Sequence, residues 1–171
     1  QKYIRSNILE ETLNYFNLQK IKKKNISINK NVKINKISIF PLSRSPLRSM
    51  PIQILNNLTK LLTKNFDVEI FLDQNFEISN FILDNIKLKN VKVIDPKDKM
   101  DLINLIKKIQ YGIFMDSGPL HVAKLFSKRG ILIESTVSKN ILLNNYNLIK
   151  CVENQFSSNF CNAPCGLTDI F

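Results

Sequence analysis

An α/β fold, a parallel sheet with helices on both faces, is what this sequence predicts, and three observations carry the prediction. Short runs rich in β-branched and aromatic residues recur along the chain, and amphipathic segments with helical periodicity stand between them. A chain of 171 residues that is 44% hydrophobic and holds 11 Phe can also bury one substantial core. One domain is the expectation, at ~100–200 residues per domain.

In chain order, residues 1 to 36 read as a lead-in segment. It has one short amphipathic helix candidate, Ile8 to Phe16, and then the basic, Asn-rich stretch Lys20 to Lys36. The first residue is Gln, so the chain is expected to be part of a longer polypeptide. Regular elements begin after it, and residues 37 to 171 are expected to form the folded domain. Five strand candidates follow: Ile37 to Phe40, Val68 to Leu72, Val91 to Ile94, Gly112 to Met115 and Ile131 to Ile133. The spacing of Ile52, Leu55, Leu58 and Leu62 predicts a helix after the first strand, and Leu102, Leu105, Ile106 and Ile109 predict another before the fourth. A weaker helical pattern covers Ser79 to Ile86. A short helix is expected from Pro119 to Ser127, stopped by Gly130.

Strands separated by helices are joined by right-handed crossovers and therefore lie parallel in one sheet, a Rossmann-like arrangement. In the common order 3-2-1-4-5, the winding direction reverses between strands one and four. Open parallel sheets bind ligands at that reversal, outside the carboxyl ends of their strands. Two loops become the candidates: Pro41 to Pro51 after strand one, and Asp116 to His121 after strand four.

The second loop carries the clearer chemistry. Asp116 or Ser117 can cap the helix, Gly118 lets a ligand approach the backbone, and Pro119 suits the first helical turn because its missing N–H would go unpaired there anyway. Free amides and the positive dipole end then make a site for a phosphate, with Leu120 inside the first turn and His121 pointing toward the same ligand. The plain alternative is good helix-start chemistry with His121 packed or on the surface. The first loop offers Ser43, Ser45, Arg44 and Arg48 facing that turn. Arg48 is the better phosphate ligand, because a guanidinium presents a rigid fork of donors. Two solvated surface arginines are the alternative there.

Composition bounds the remaining functions. The net charge of +11 attracts phosphates, nucleic acid or an anionic membrane surface. Lys, Asn and Ile are abundant everywhere, however, as when a coding sequence drifts toward A and T, and no zinc-finger or RNP-type motif points to specific nucleic-acid binding. No apolar run approaches the ~20 residues that span a bilayer, and no secretory signal opens the chain, so it reads as cytoplasmic, with peripheral contact at an inner membrane face left open. Cys151, Cys161 and Cys165 are too few for a disulfide scaffold, and with one His they do not make a zinc set, so reduced thiols and no metal are expected.

The residues also resemble a known family. Ile37-Ser-Ile-Phe-Pro41, Arg48, Met-Pro51 and then Phe114-Met-Asp-Ser-Gly-Pro-Leu-His121-Val-Ala look like the C-terminal half of glycosyltransferase family 9, the heptosyltransferases that build the lipopolysaccharide inner core. The Asp-Ser/Thr-Gly-x-x-His motif is the most specific part, and it stands intact at Asp116, Ser117, Gly118 and His121. Coverage runs from about Ile37 to Cys165.

The resemblance implies a GT-B enzyme of two Rossmann-like domains, in which this half holds a nucleotide diphosphate sugar, typically ADP-heptose, with no cofactor and no metal. It implies that the backbone at Ser117, Gly118 and Leu120 grips the diphosphate, that His121 lies near the donor sugar, and that Ser43, Arg44 and Arg48 approach the phosphates. A ribose-binding glutamate follows strand two in that family, and Glu77 is the nearest match. The catalytic base and the glycan or lipid acceptor are expected in an N-terminal half not contained here, so this chain alone should turn over nothing. Departures from the family are Arg48-Ser-Met-Pro in place of Lys-Trp-Pro, and Leu72-Asp-Gln and Glu134-Ser-Thr in place of Gly-rich turns. Cys161-Asn-Ala-Pro-Cys165 resembles a cysteine pair of many members. The competing readings are a non-catalytic basic module for nucleic acid or an anionic surface, and a transferase half that has lost activity.

Overall fold

The structure is a computed structural model that describes residues 33–158, apart from 74, 87–89, 145 and 156, together with 164. The helix expected at Ile8 to Phe16, most of the lead-in segment, Cys161 and Cys165 lie outside the described residues.

Six strands form one all-parallel sheet in the order β3-β2-β1-β4-β5-β6. They are β1 (Lys36–Phe40), β2 (Asp67–Phe71), β3 (Val91–Ile94), β4 (Tyr111–Phe114), β5 (Gly130–Ile133) and β6 (Ile149–Val152). The helices are α1 (Ile52–Leu62), α2 (Glu77–Asn85), α3 (Lys99–Lys108), α4 (Gly118–Leu125) and α5 (Lys139–Leu142). The first five strands and four helices coincide with those expected from periodicity, and the expected strand order is present with one strand added. β6 escapes a sequence reading because it is a short edge strand whose pattern includes exposed Lys150 and Val152, and nothing local separates it from a loop. Its pairing with β5 makes it a strand.

Two apolar cores sandwich the sheet. One face buries Ile39, Leu55, Ile70, Ile82 and Met115 under α1 and α2, and the other buries Phe40, Phe114, Ile106, Leu120 and Leu132 under α3 and α4. Alternate residues of a strand point to opposite faces, so Ile39 and Phe40 serve different cores. On the second face the register places Phe40 beside Phe114, and the Phe40 ring stacks on both Phe71 and Phe114, at 4.4 and 5.1 Å between centroids. This aromatic row runs beneath the carboxyl ends of β2, β1 and β4, and it sets the floor level of the site described below.

Helix α4 ends at Leu125, two residues before the expected end at Ser127. Lys128 N donates to the Ala123 carbonyl at 2.9 Å and Ser127 N to that of Lys124 at 3.2 Å, with Ser127 in the left-handed region at φ 52°. That pair of bonds is a Schellman motif, which satisfies the last carbonyls of the helix. Gly130 therefore does not stop the helix; it is already part of β5. A Cβ there would lie 2.2 Å from the Gly112 carbonyl oxygen, and one on Gly112 would lie 2.1 Å from the Phe114 ring. The two glycines pair across β4 and β5 and leave the space that the Phe114 ring fills.

Candidate functional site

The carboxyl ends of β1 and β4 adjoin at the reversal of winding, and the two loops that leave them are bonded to each other. Met115 N donates to the Phe40 carbonyl at 3.3 Å, extending the strand pairing into the loops. Beyond it, the Ser43 hydroxyl donates to the Asp116 carbonyl at 2.6 Å, and Arg48 Nη1 meets Asp116 Oδ2 at 3.3 Å. Asp116 is thus gripped through its backbone and its carboxylate by one partner loop.

The first loop is preorganised by its own serines. Ser49 Oγ accepts from Ser43 N at 2.9 Å and lies 3.2 and 3.1 Å from the carbonyls of Ser43 and Ser45, while Met50 N donates to the Pro41 carbonyl at 2.8 Å. Ser43, Ser45 and Ser49 are all buried. A 3-10 turn over Pro46–Arg48 then carries Arg48 back toward Asp116. Sequence reasoning missed Ser49. A serine in a Ser-rich loop carries no signal that it will knot that loop.

The second loop starts α4 without the expected side-chain cap. Ser117 has extended backbone dihedrals, φ −158° and ψ 169°, and occupies the N-cap position, but its hydroxyl contacts the Met115 carbonyl at 3.4 Å and makes no cap bond. The Asp116 carboxylate is turned to Arg48. Both residues that could have capped the helix are drawn away, which leaves the first turn open toward solvent. A Cβ built on Gly118 would meet nothing within 4 Å, so protein packing does not require this glycine and its backbone is open to approach. Leu120 anchors the turn from below: its side chain is fully buried and its amide donates to the Ser117 carbonyl at 3.1 Å.

Beside this turn lies a cleft of about 300 Å³, at the small end of the ~300–1,000 Å³ typical of small-molecule sites. Its walls include Ser43, Arg44, Ser117 and Pro119 from the two loops, Phe71, Asp73, Phe76 and Pro96 from the ends of β2 and β3, and Leu102 from α3. Polar groups from the loops and apolar groups from the far side give it a two-ended chemistry. Of the two arginines, Arg44 is exposed and forms part of the wall, whereas Arg48 is held on Asp116 behind it. His121 is exposed in the first turn of α4 and is not part of the wall. Its pKa is lowered below the ordinary histidine value, first by partial desolvation and then by Lys124, with Asp116 opposing the shift.

Glu77 is exposed in the first turn of α2 and does not line the cleft. The acidic residue that does is Asp73, at the carboxyl end of β2, where its Oδ1 accepts from Asn75 N at 3.0 Å. The signal for Asp73 was its position just past the carboxyl end of a strand, where open parallel sheets carry their ligand-facing loops.

On the far side of the site, Glu134 closes the loop after β5. It is buried, and its carboxylate accepts from Lys139 N at 2.7 Å and Asn154 N at 3.1 Å. Cys151 is half-buried, and burial, with Glu134 and Glu153 adding to it, pushes its thiol up to about 11. Among the described residues no three His, Cys, Asp or Glu side chains gather into a metal-binding set, and no helix is long and apolar enough to cross a membrane.

No protein-family model and no curated protein matches the chain by sequence. Its fold, by contrast, is that of known enzymes. It aligns with the E. coli ADP-heptose lps heptosyltransferase II at a TM-score of 0.59 and 18% identity, covering 85% of this chain and 42% of that one. A glycosyl transferase family 9 structure from Veillonella parvula aligns at 0.59 and 14%, covering 85% and 39%. The E. coli heptosyltransferase WaaC with ADP aligns at 0.58 and 9%, covering 69% and 37%. The chain has a heptosyltransferase-like, Rossmann-type α/β fold, and it spans about two fifths of the length of the structures it matches.

Proposed function

We propose that this chain, with its heptosyltransferase-like fold, is the nucleotide-sugar-binding domain of a glycosyltransferase, with a nucleoside diphosphate sugar of the ADP-heptose type as donor. The observation that carries the reading is the joining of the two switch-point loops through Asp116, behind the wall of a cleft that both loops line. It is supported by the ligands of the similar WaaC structures, which hold ADP and ADP-2-deoxy-2-fluoro heptose.

In this reading the donor diphosphate rests on the open first turn of α4 at Ser117 and Gly118, where oriented amides and the helix dipole favour negative charge. Arg44 approaches it from the wall, and Ser43 and Arg48 brace the turn through Asp116. His121 stands one turn in, near the donor sugar. As the bond to the sugar breaks, charge builds on the departing diphosphate, and donors fixed in place before the reaction stabilise it without a metal. The base that deprotonates the acceptor hydroxyl, and the lipopolysaccharide-core or related glycan acceptor, belong to a second domain. A lipid-linked acceptor of that kind would bring the whole enzyme to the inner membrane face.

Calorimetric titration of the chain with ADP and an ADP-sugar tests the reading. Binding that changes little between 50 and 200 mM salt is the expected result, in contrast to the steep salt dependence of polyanion binding. Absence of ADP binding at millimolar ligand would refute the domain assignment, and glycosyl transfer by the isolated chain would refute the division of labour between two domains.

A further inference from the structure

We infer that Phe76 is the base-stacking residue of the cleft, and that the site recognises a nucleobase by stacking and shape without side-chain hydrogen bonds to its edge. The inference rests on the proposed nucleotide site and concerns its other end.

Phe76 occupies the N-cap of α2, at φ −108° and ψ 124°, with no side-chain cap bond. Helices prefer Ser, Thr, Asp or Asn there, because a short polar side chain can take up a free amide of the first turn. An aromatic side chain contributes nothing to capping. Among the described residues Phe76 belongs to neither apolar core, yet it is half-buried as part of the cleft wall. The other aromatic side chains on that wall, Phe40 and Phe71, are buried and stacked on each other at 4.4 Å, so one face of each ring is already covered by the other. Phe76 is the wall aromatic that has a surface to offer.

The placement suits a nucleotide. Phe76 leaves the end of β2, Pro96 leaves the end of β3, and Leu102 comes from α3, whereas the proposed phosphate groups lie at the ends of β1 and β4. Neighbouring strands are ~4.8 Å apart, so the apolar end stands roughly two spacings from the diphosphate, a span comparable with that from diphosphate to base. The side chains at this end, Phe71, Phe76, Pro96 and Leu102, hold no donor or acceptor. The polar side chain lining the cleft beside them, Asp73, has Oδ1 committed to the Asn75 amide and stands between this end and the phosphate turn, at the ribose position. Discrimination by hydrogen bonding needs polar groups aimed at the base edge, and stacking does not, because every base has a π face.

The test is calorimetry on the 171-residue chain with ADP, GDP, UDP and inorganic pyrophosphate. ADP and GDP are expected to bind within about 5-fold of each other. Phe76→Ala is expected to weaken both by about 5- to 150-fold while leaving pyrophosphate unchanged, and Phe76→Trp to retain most of the affinity. If Phe76→Ala leaves ADP affinity intact, or weakens pyrophosphate equally, Phe76 is not the stacking residue. GDP bound more than ~100-fold more weakly than ADP would overturn recognition by shape. Those outcomes leave the nucleotide site standing, whereas absence of ADP and pyrophosphate binding by the parent chain removes both. Circular dichroism of each variant, with Phe76→Trp as the conservative replacement, separates loss of binding from loss of fold.

Discussion

Arg48 Nη1 lies 3.3 Å from Asp116 Oδ2, a largely buried ion pair between residues that are 68 positions apart in the chain. It ties the loop after β1 to the turn that starts α4, and it turns the carboxylate away from the helix it could have capped. A buried pair of this kind stabilises little compared with an apolar substitute, yet removing one partner strands the other charge away from water.

Removing one partner of that pair and removing both therefore have different consequences for stability. Arg48→Ala leaves the Asp116 carboxylate buried beside the proposed phosphate site, and a loss of about 3–5 kcal/mol of folding stability is expected. The double variant Arg48→Met with Asp116→Asn, which removes both charges, should recover most of that loss. Urea denaturation of the three proteins measures it, and a double variant as unstable as Arg48→Ala would show that the ion pair is not the cause.

Gly118 distinguishes a site from a structural turn. Because a Cβ there meets nothing within 4 Å, Gly118→Ala should change stability by no more than ~1 kcal/mol. It should nevertheless weaken ADP at least tenfold, since the methyl group would stand where the diphosphate approaches the backbone. Equal affinity in both proteins would argue against a ligand at this turn.

At Gly130 the expectation is reversed. Its Cβ would fall 2.2 Å from the Gly112 carbonyl oxygen and 2.8 Å from the Phe114 ring, so Gly130→Ala must push β4 and β5 apart or displace the ring. A loss of ~1–3 kcal/mol or more is expected, visible as a lower melting temperature with the ligand site untouched. Gly130→Ala combined with Phe114→Leu should recover part of the loss if the ring is the obstacle.

His121 sets a pH dependence whose sign follows from its lowered pKa. The unfolded chain, with histidine near ~6.5, binds more protons than the folded chain between the folded pKa and that value. Stability contributed by this group therefore rises with pH across that window and levels off above it. In the ligand-free protein an NMR titration of the imidazole should give a midpoint below 6.5, and ADP should move it upward, because a neighbouring diphosphate favours the charged ring. A midpoint indifferent to ADP would place His121 outside the site.

Cys151 should behave as an inert thiol. With its pKa pushed up to about 11, almost no thiolate is present at pH 8, and the thiolate is the reactive form. In a Cys161→Ser, Cys165→Ser background, iodoacetamide should label the folded protein slowly at pH 8 and much faster once urea unfolds it. Rapid labelling of the folded protein would contradict the burial of this side chain.

Local chemistry was enough to predict the alternation of strands and helices, because that depends on periodicities of a few residues and on turn residues such as Gly118 and Pro119. The parallel sheet, its central order and the two loops at the reversal of winding followed from fold-level rules for such an alternation. Partners across the fold were not legible. β6 becomes a strand only against β5, Gly130 is needed only because Gly112 and Phe114 face it, and the Asp116 carboxylate forgoes the cap because Arg48 arrives from a different loop. Asp73 and Phe76 likewise join the site only when the ends of β2 and β3 are set beside those of β1 and β4. Such contacts are fixed by the closing of the sheet, which brings together residues whose separation along the chain no local pattern records.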